Sequence, residues 1–365
     1  MSWAIWVTGL PGSGKSTVAQ AAAARLAERG EPVVVLELDR IRRVLTPAPT
    51  YSEAEREIVY RALVFMAVAL TEAGVPAVID ATAHRRAWRD LARASIAHFA
   101  EVQLDCPLEV AQARERTRTT GAAPMGIYAG TGRAGATVPG VNVPYERADS
   151  PDLALDTSVE DVSTAADRIA ALALRLRPQP PRRRRGADGG AVIWITGPPG
   201  SGKTTLASRL ADALAAEGVV ANVLEWTALR ALVLGGGPGS EADEDIAHRA
   251  LAYTAKLLAD EGLTVIVDAT APRRAWRALA REIAGTFAEV QLVCPPEVCV
   301  DRERSVRWGA RPCPHRGATA PDLVLEYEYS LSPDLLLDTA ARSEWAAGED
   351  LLRLARRLLR RRIAG

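Results

Sequence analysis

The chain opens on an uninterrupted apolar run, Trp3-Ala4-Ile5-Trp6-Val7, closed by Thr8 and Gly9. A short run of this kind reads as a strand buried on both faces. An alanine-rich stretch at 17–26 follows and predicts a helix. Further apolar runs at 33–38, 77–80, 101–104 and 153–155 predict four more strands. Between them, a helix starts near Ser52, where Ser52-Glu53-Ala54-Glu55 has the form of a capping box, and stops at Gly74. Strands alternating with helices predict a mainly parallel, doubly wound α/β sheet covered on both faces. Ligands of such sheets sit beyond the carboxyl ends of the strands, so polar residues just past those ends become candidates for chemistry.

The pattern then repeats. Residues 74–110 and 262–298 agree at about two-thirds of positions, with Asp80-Ala81-Thr82 returning as Asp268-Ala269-Thr270 at a constant offset of 188. Past a low-complexity stretch the offset falls to 182, where Tyr145-Glu146 matches Tyr327-Glu328, so the second copy is six residues shorter there. The period is far too long for a solenoid and marks a tandem duplication of a whole domain. Prolines, glycines and four consecutive arginines at 177–190 predict an extended linker. The expected domains are therefore 1–176 and 191–365. Leucines at helical spacing in 351–363 predict a last helix that covers the second sheet.

Composition narrows the function classes. Lys+Arg 45 balance Asp+Glu 45, which argues against a general nucleic-acid binder. No apolar run approaches 18 residues, so no membrane span is expected. The first strand begins almost at once, so no signal peptide is expected. Cys106, Cys294, Cys299 and Cys313 are too few and too irregular for a disulfide framework, and a cytoplasmic location is expected. Cys313-Pro314-His315 has the look of a metal fragment but lacks a second ligand pair at zinc spacing.

Chemistry enters with Gly9-Leu10-Pro11-Gly12-Ser13-Gly14-Lys15-Ser16-Thr17, which fits GxxxxGK[ST] between a strand and a helix. Gly197-Pro198-Pro199-Gly200-Ser201-Gly202-Lys203-Thr204-Thr205 repeats it in the same setting. Such loops turn backbone N–H groups inward on one anion, at a helix N-terminus that favours negative charge. Gly9, Gly12, Ser13, Gly14, Lys15, Ser16 and Thr17, with Gly197, Gly200, Ser201, Gly202, Lys203, Thr204 and Thr205, are thus the expected ATP-binding residues of two P-loop domains. Lys15 reaches the β/γ-phosphates in this reading, and Ser16 and Thr204 hold Mg²⁺ together with Asp80 and Asp268. Asp39, placed at the end of the second strand, is the candidate carboxylate for positioning and deprotonating an acceptor hydroxyl, the plain alternative being a helix N-cap. Arg85, Arg86 and Arg89 past the third strand and Arg114, Arg116 and Arg118 past the fourth could clamp an anionic substrate. Residues 119–144, rich in Gly, Ala and Pro, suit a lid.

In order along each copy, these residues resemble the adenylylsulfate (APS) kinase family. The first copy has Asp39-Arg40-Ile41-Arg42 where the family has DGDNxR, Tyr51-Ser52-Glu53-Ala54-Glu55-Arg56 for FSxEDR, and Arg86-Ala87-Trp88-Arg89 for YRxxR. Asp105-Cys106-Pro107-Leu108-Glu109-Val110 then stands for DTPLEV, Gly126-Ile127-Tyr128 for GLY, Pro144-Tyr145-Glu146 for PYE and Leu155-Asp156-Thr157 for LDT. The resemblance implies ATP- and Mg²⁺-dependent phosphorylation of the 3′-hydroxyl of adenylylsulfate, with Arg42, Arg56, Arg86 and Arg89 on the substrate side and Asp39 near its hydroxyl. It also implies a homodimer, or pairing of the two copies within one chain. Departures are visible. Glu37 stands for the first Asp, the Asn of DGDN is absent, and Val138-Pro139-Gly140 replaces the lid's Lys-Asn-Phe-Thr-Gly. In the second copy Thr227 stands where Asp39 stands and Glu244 where Arg56 stands, while Lys203, Thr204, Asp268, Arg274 and Arg277 remain. The readings carried forward are a small-molecule kinase with adenylylsulfate as first-choice acceptor, a kinase for another hydroxylated metabolite, and a nucleotide-regulated binding protein.

Overall fold

The N-terminal apolar run forms β1 (Trp3–Gly9), buried along its whole length. In the computed structural model, residues 1–119, 121–122, 124, 126–131, 137–177, 190–237, 239–307 and 326–361 are described. The chain divides into two units, Met1–Arg183 and Arg184–Gly365. Most of the expected linker, 178–189, and Cys313-Pro314-His315 lie outside the described residues, as does part of each lid.

In the first unit β1 leads through the glycine-rich loop into α1 (Lys15–Glu28), then β2 (Val34–Glu37), α2 (Leu38–Leu45), α3 (Glu53–Glu72), β3 (Ala77–Asp80), α4 (Arg86–Ser95), β4 (His98–Asp105), α5 (Leu108–Thr117), β5 (Leu153–Asp156) and α6 (Val162–Leu176). The sheet order is β2-β3-β1-β4-β5, and every neighbouring pair is parallel. One face buries Ile5 and Val7 against Val18, Ala22 and Leu26 of α1 and Ile169 and Ala173 of α6. Each fully buried aliphatic side chain of this kind stabilises by roughly 1.5–3 kcal/mol. On the other face Trp6 lies near Tyr60 of α3, whose ring stacks on Trp88 of α4 at 4.1 Å.

Register places the site. Val7 and Glu37 both lie opposite Asp80, and Gly9 lies opposite Leu104, so the strand ends and the glycine-rich loop share one edge of the sheet. The second strand is shorter than expected. It ends at Glu37, and the chain turns straight into α2, so Asp39 sits in the first helical turn rather than on the strand. Leu36-Glu37-Leu38 continues a strand-like alternation that the helix interrupts. The expected capping box is half formed. The Ser52 hydroxyl accepts from Glu55 N–H at 3.2 Å, but the Glu55 carboxylate turns to Thr50 and Arg42.

The second unit repeats the order with β6 (Ala191–Thr196), α7 (Lys203–Ala216), β7 (Ala221–Glu225), α8 (Trp226–Val233), α9 (Glu241–Asp260), β8 (Thr264–Asp268), α10 (Arg274–Ile283), β9 (Phe287–Val293), α11 (Pro296–Arg307), β10 (Leu335–Asp338) and α12 (Glu344–Arg361). Its sheet runs β10-β9-β6-β8-β7, again all parallel, so both sheets have the arrangement anticipated from the alternation of elements. Leu351, Leu352, Leu354 and Ala355 of α12 pack into the core with Ile195 and Leu210. Here the capping box is complete, between Ser240 and Asp243. Among the described residues, no helix is long and apolar enough to cross a membrane.

Candidate active site

The turn between β1 and α1 depends on backbone that only glycine adopts without strain. Gly12 has φ +77°, and a Cβ there would lie 2.3 Å from the carbonyl oxygen of Ala111 in α5. Gly200 repeats this against Cys299 at 2.4 Å. Gly14 and Gly202 are the N-caps of α1 and α7, so Lys15 and Lys203 begin their helices. The Lys15 ammonium donates to Leu10 O at 2.9 Å, and Lys203 donates to Gly197 O and Pro198 O at 3.1 and 3.0 Å. Burial lowers the Lys15 pKa, opposed by the charges of Asp80 and Asp39.

Those carboxylates surround the loop. Burial raises Asp80 to about 6, against the pull of Lys15 and a hydrogen bond from Ser16. In the second unit Thr204 Oγ1 donates to Asp268 at 2.6 Å. Ser16 with Asp80, and Thr204 with Asp268, are therefore brought together as the spacing anticipated. One hydroxyl and one carboxylate are hard oxygen donors that would fit Mg²⁺. No group of three or more His, Cys, Asp or Glu side chains able to hold a metal occurs among the described residues. Asp39 is raised by burial and lowered by Lys15 and then Arg42. It is thus electrostatically coupled to the phosphate lysine.

The arginines separate into different roles. Arg42 is buried, paired with Glu55 at 2.9 Å and covered by the Tyr51 ring at 5.2 Å. Arg56 Nη2 donates to Thr137 O and Oγ1 at 2.8 and 2.7 Å, and so joins α3 to the lid. Arg86 is exposed at the start of α4 and faces Asp149 and Asp90. Arg89 corrects the sequence reading. It is fully buried, with its guanidinium on Glu101 at 3.0 Å, on Thr8 Oγ1 and Ala83 O at 3.2 Å each, and on Glu146 O. A guanidinium enclosed on every side cannot meet substrate; Arg89 ties β1, β4 and the return from the lid together, and Arg277 does the same in the second unit through Glu289 at 2.8 Å. Arg114, a candidate clamp, instead holds Thr157 O at 2.7 Å, and Thr157 Oγ1 donates to Ser13 O of the loop at 2.9 Å.

The second unit departs where the sequence does. Thr227 Oγ1 lies 3.4 Å from Glu225, and Arg230, the counterpart of Arg42, approaches Glu244 at 4.0 Å. His248 replaces Tyr60 and stacks between Trp226 at 3.9 Å and Trp276 at 3.7 Å.

A family model described as adenylylsulphate kinase matches the chain twice, over residues 1–156 and 189–337. The chain belongs to the adenylylsulphate kinase family. It is similar to the probable adenylyl-sulfate kinase of Archaeoglobus fulgidus, 37% identical over 164 residues, or 44% of this chain and 99% of that protein. The probable adenylyl-sulfate kinase of Pyrococcus abyssi is 36% identical over 157 residues, 42% of this chain and 84% of its own length. Among solved structures, a Mycobacterium tuberculosis APS kinase in complex with AMPPNP and APS is 31% identical, covering 46% of this chain and 98% of that one with a TM-score of 0.39. The kinase is an ATP-dependent phosphotransferase.

Two contacts on the adenylylsulphate kinase scaffold escaped the sequence reading. Tyr128, in the short 3₁₀ turn Ile127–Gly130, donates its hydroxyl to Pro11 O in the phosphate loop at 2.8 Å. Arg114 and Thr157 brace the same loop from below. The second is detectable from the repeat, because Arg302 at offset 188 and Thr339 at offset 182 rebuild it, with Thr339 Oγ1 on Ser201 O at 2.9 Å. Between Leu10 and the turn segment from Gly140 to Tyr145 lies a cavity of about 600 Å³, lined also by Gln103, Asp105 and Cys106.

Proposed function

We propose that the first unit phosphorylates the 3′-hydroxyl of adenylylsulfate with Mg-ATP; the observation carrying this reading is the tight glycine-rich turn into Lys15 at the sheet edge where β3 ends at Asp80 and β2 passes directly into the helical turn that bears Asp39. Lys15 and the loop N–H groups hold the β/γ-phosphates. Ser16 and Asp80 hold Mg²⁺, which when bound neutralises charge that develops on the phosphates. Asp39 accepts the proton of the attacking hydroxyl. Arg42, fixed by Glu55 and Tyr51, and Arg56, fixed by the lid, give the acceptor side two cations that suit an anionic nucleotide. Arg86 contributes a further cation at the surface. The test is ADP release with adenylylsulfate set against non-nucleotide hydroxyl acceptors. Saturable release with adenylylsulfate and background release with the others supports the reading; the reverse makes this a kinase for another metabolite.

For the second unit a different reading is favoured by a specific observation. The metal pair Thr204–Asp268 is formed, yet Thr227 cannot act as a base at neutral pH and Glu244 replaces a cation with an anion. We infer a nucleotide-binding unit that does not transfer phosphate to adenylylsulfate. The protein is accordingly read as a cytoplasmic enzyme of sulfate assimilation, with pairing of chains or of its two copies as the proposed assembly.

A further inference from the structure

Two sulfur atoms share one corner of the second unit. Cys294 follows β9 directly and Cys299 lies in the first turns of α11; their exposures are 6% and 5%, and Cys299 Sγ lies 3.8 Å from Cys294 O. The Arg302 guanidinium donates to Cys294 Sγ at 3.5 Å. Burial, followed by the neighbouring Cys294, pushes the Cys299 thiol up to about 12, so it stays protonated. The corner thus holds two buried sulfurs in unlike surroundings, Cys294 against a guanidinium and Cys299 against the Cys294 carbonyl.

Both are joined to the second phosphate loop. Arg302 also holds Thr339 O at 2.7 Å, and Thr339 holds Ser201 O. The Cys299 carbonyl packs so closely on Gly200 that no side chain fits between them. The first unit supplies an internal contrast. Cys106, Arg114, Thr157 and Ser13 rebuild the same connections, with Arg114 3.8 Å from Cys106 Sγ, but Ala111 stands where Cys299 stands.

We propose that Cys294 and Cys299 form a peroxide-oxidisable thiol pair whose closure to a disulfide weakens nucleotide binding at the second phosphate loop and leaves the first unaffected. The effect on affinity rests on the nucleotide-binding reading of that unit. The Cys294 thiol gives up its proton and its sulfur attacks hydrogen peroxide; an S–O bond forms, the O–O bond breaks, and the departing hydroxide takes that proton as water. The Cys299 sulfur then attacks the Cys294 sulfenic acid; the S–S bond forms, the S–O bond breaks, and the Cys299 proton departs with the hydroxyl as water. Two thiols and one peroxide give one disulfide and two waters.

The experiment uses the full chain carrying Lys15→Ala, so that binding of a fluorescent ATP analogue reports the second loop, before and after hydrogen peroxide and after re-reduction. Expected are a Cys294–Cys299 cross-linked peptide by mass spectrometry, affinity weakened roughly 5- to 100-fold, and recovery on reduction. The added Cys299→Ala change, which copies the first unit, should bind normally when reduced and lose the peroxide response. A disulfide pairing either residue with another cysteine, no disulfide, or a disulfide with unchanged affinity overturns the proposal. If the reduced Lys15→Ala chain binds no analogue, the nucleotide reading fails and takes the affinity effect with it, while the peptide mass still decides whether the bond forms.

Discussion

Asp39 lies in the first turn of α2 because β2 ends at Glu37 and the helix starts without a loop; burial raises its pKa and the charge of Lys15 opposes that. Replacing it with Asn should lower kcat by about 10²–10⁴-fold if it is the general base, with little change in affinity for ATP; steady-state ADP release checks this. Unchanged turnover would remove the role. A second single-residue prediction concerns acid. His248 is buried between two tryptophans, its Nδ1–H on Glu244 O at 2.8 Å and its Nε2 without a hydrogen-bond partner in the structure. Burial lowers its pKa from 6.5 to about 3, outweighing the Glu244 hydrogen bond and the charge of Asp245, while Arg273 adds to the lowering. The native state therefore binds fewer protons than the unfolded chain in this window. Its stabilising effect is complete above about pH 6.5 and is lost as pH falls toward 3. His248→Tyr, which restores the residue of the first unit, should flatten the acid loss of melting temperature in the second unit between pH 7 and 4.5. A variant that melts with the same pH slope as the parent would show that the imidazole is not responsible. The identity of His248 was legible in the sequence, but its burial was not, since it is set by tryptophans 22 and 28 positions away.

At the scale of elements, the phosphate loops were legible because their pattern demands glycine at fixed places, and the strands because their runs are uninterrupted. Gly12→Ala tests the first of these. Its new methyl must displace the Ala111 carbonyl, so ATP affinity should fall at least tenfold while the fold persists, as binding titration and circular dichroism would show. Wild-type affinity would mean that α5 yields freely. Arg89 shows the limit of such reading. In sequence a guanidinium that spans β1, β4 and the lid return looks the same as one in solvent, and the only sign was Glu101 and Gln103 as polar residues within an apolar strand. Arg89→Ala leaves buried Glu101 with only the Arg93 guanidinium, at 3.8 Å, which should cost about 3–5 kcal/mol in urea unfolding of the first unit. A loss under 1 kcal/mol with impaired turnover would return Arg89 to the substrate side.

Over the whole molecule, the duplication was the clearest feature of the sequence, and the two sheets repeat strand for strand. What the repeat could not convey is how the copies divide the work, because that rests on a few exchanged side chains: Asp39 for Thr227, Arg56 for Glu244, Ala111 for Cys299. In the proposed function, phosphate transfer belongs to the first unit and nucleotide binding to the second. The most direct test is adenylylsulfate-dependent ADP release by the whole chain, by Lys15→Ala and by Lys203→Ala. Loss of release in Lys15→Ala with release retained in Lys203→Ala is the predicted result. Release that survives Lys15→Ala and disappears in Lys203→Ala would place the reaction in the second unit and contradict the account.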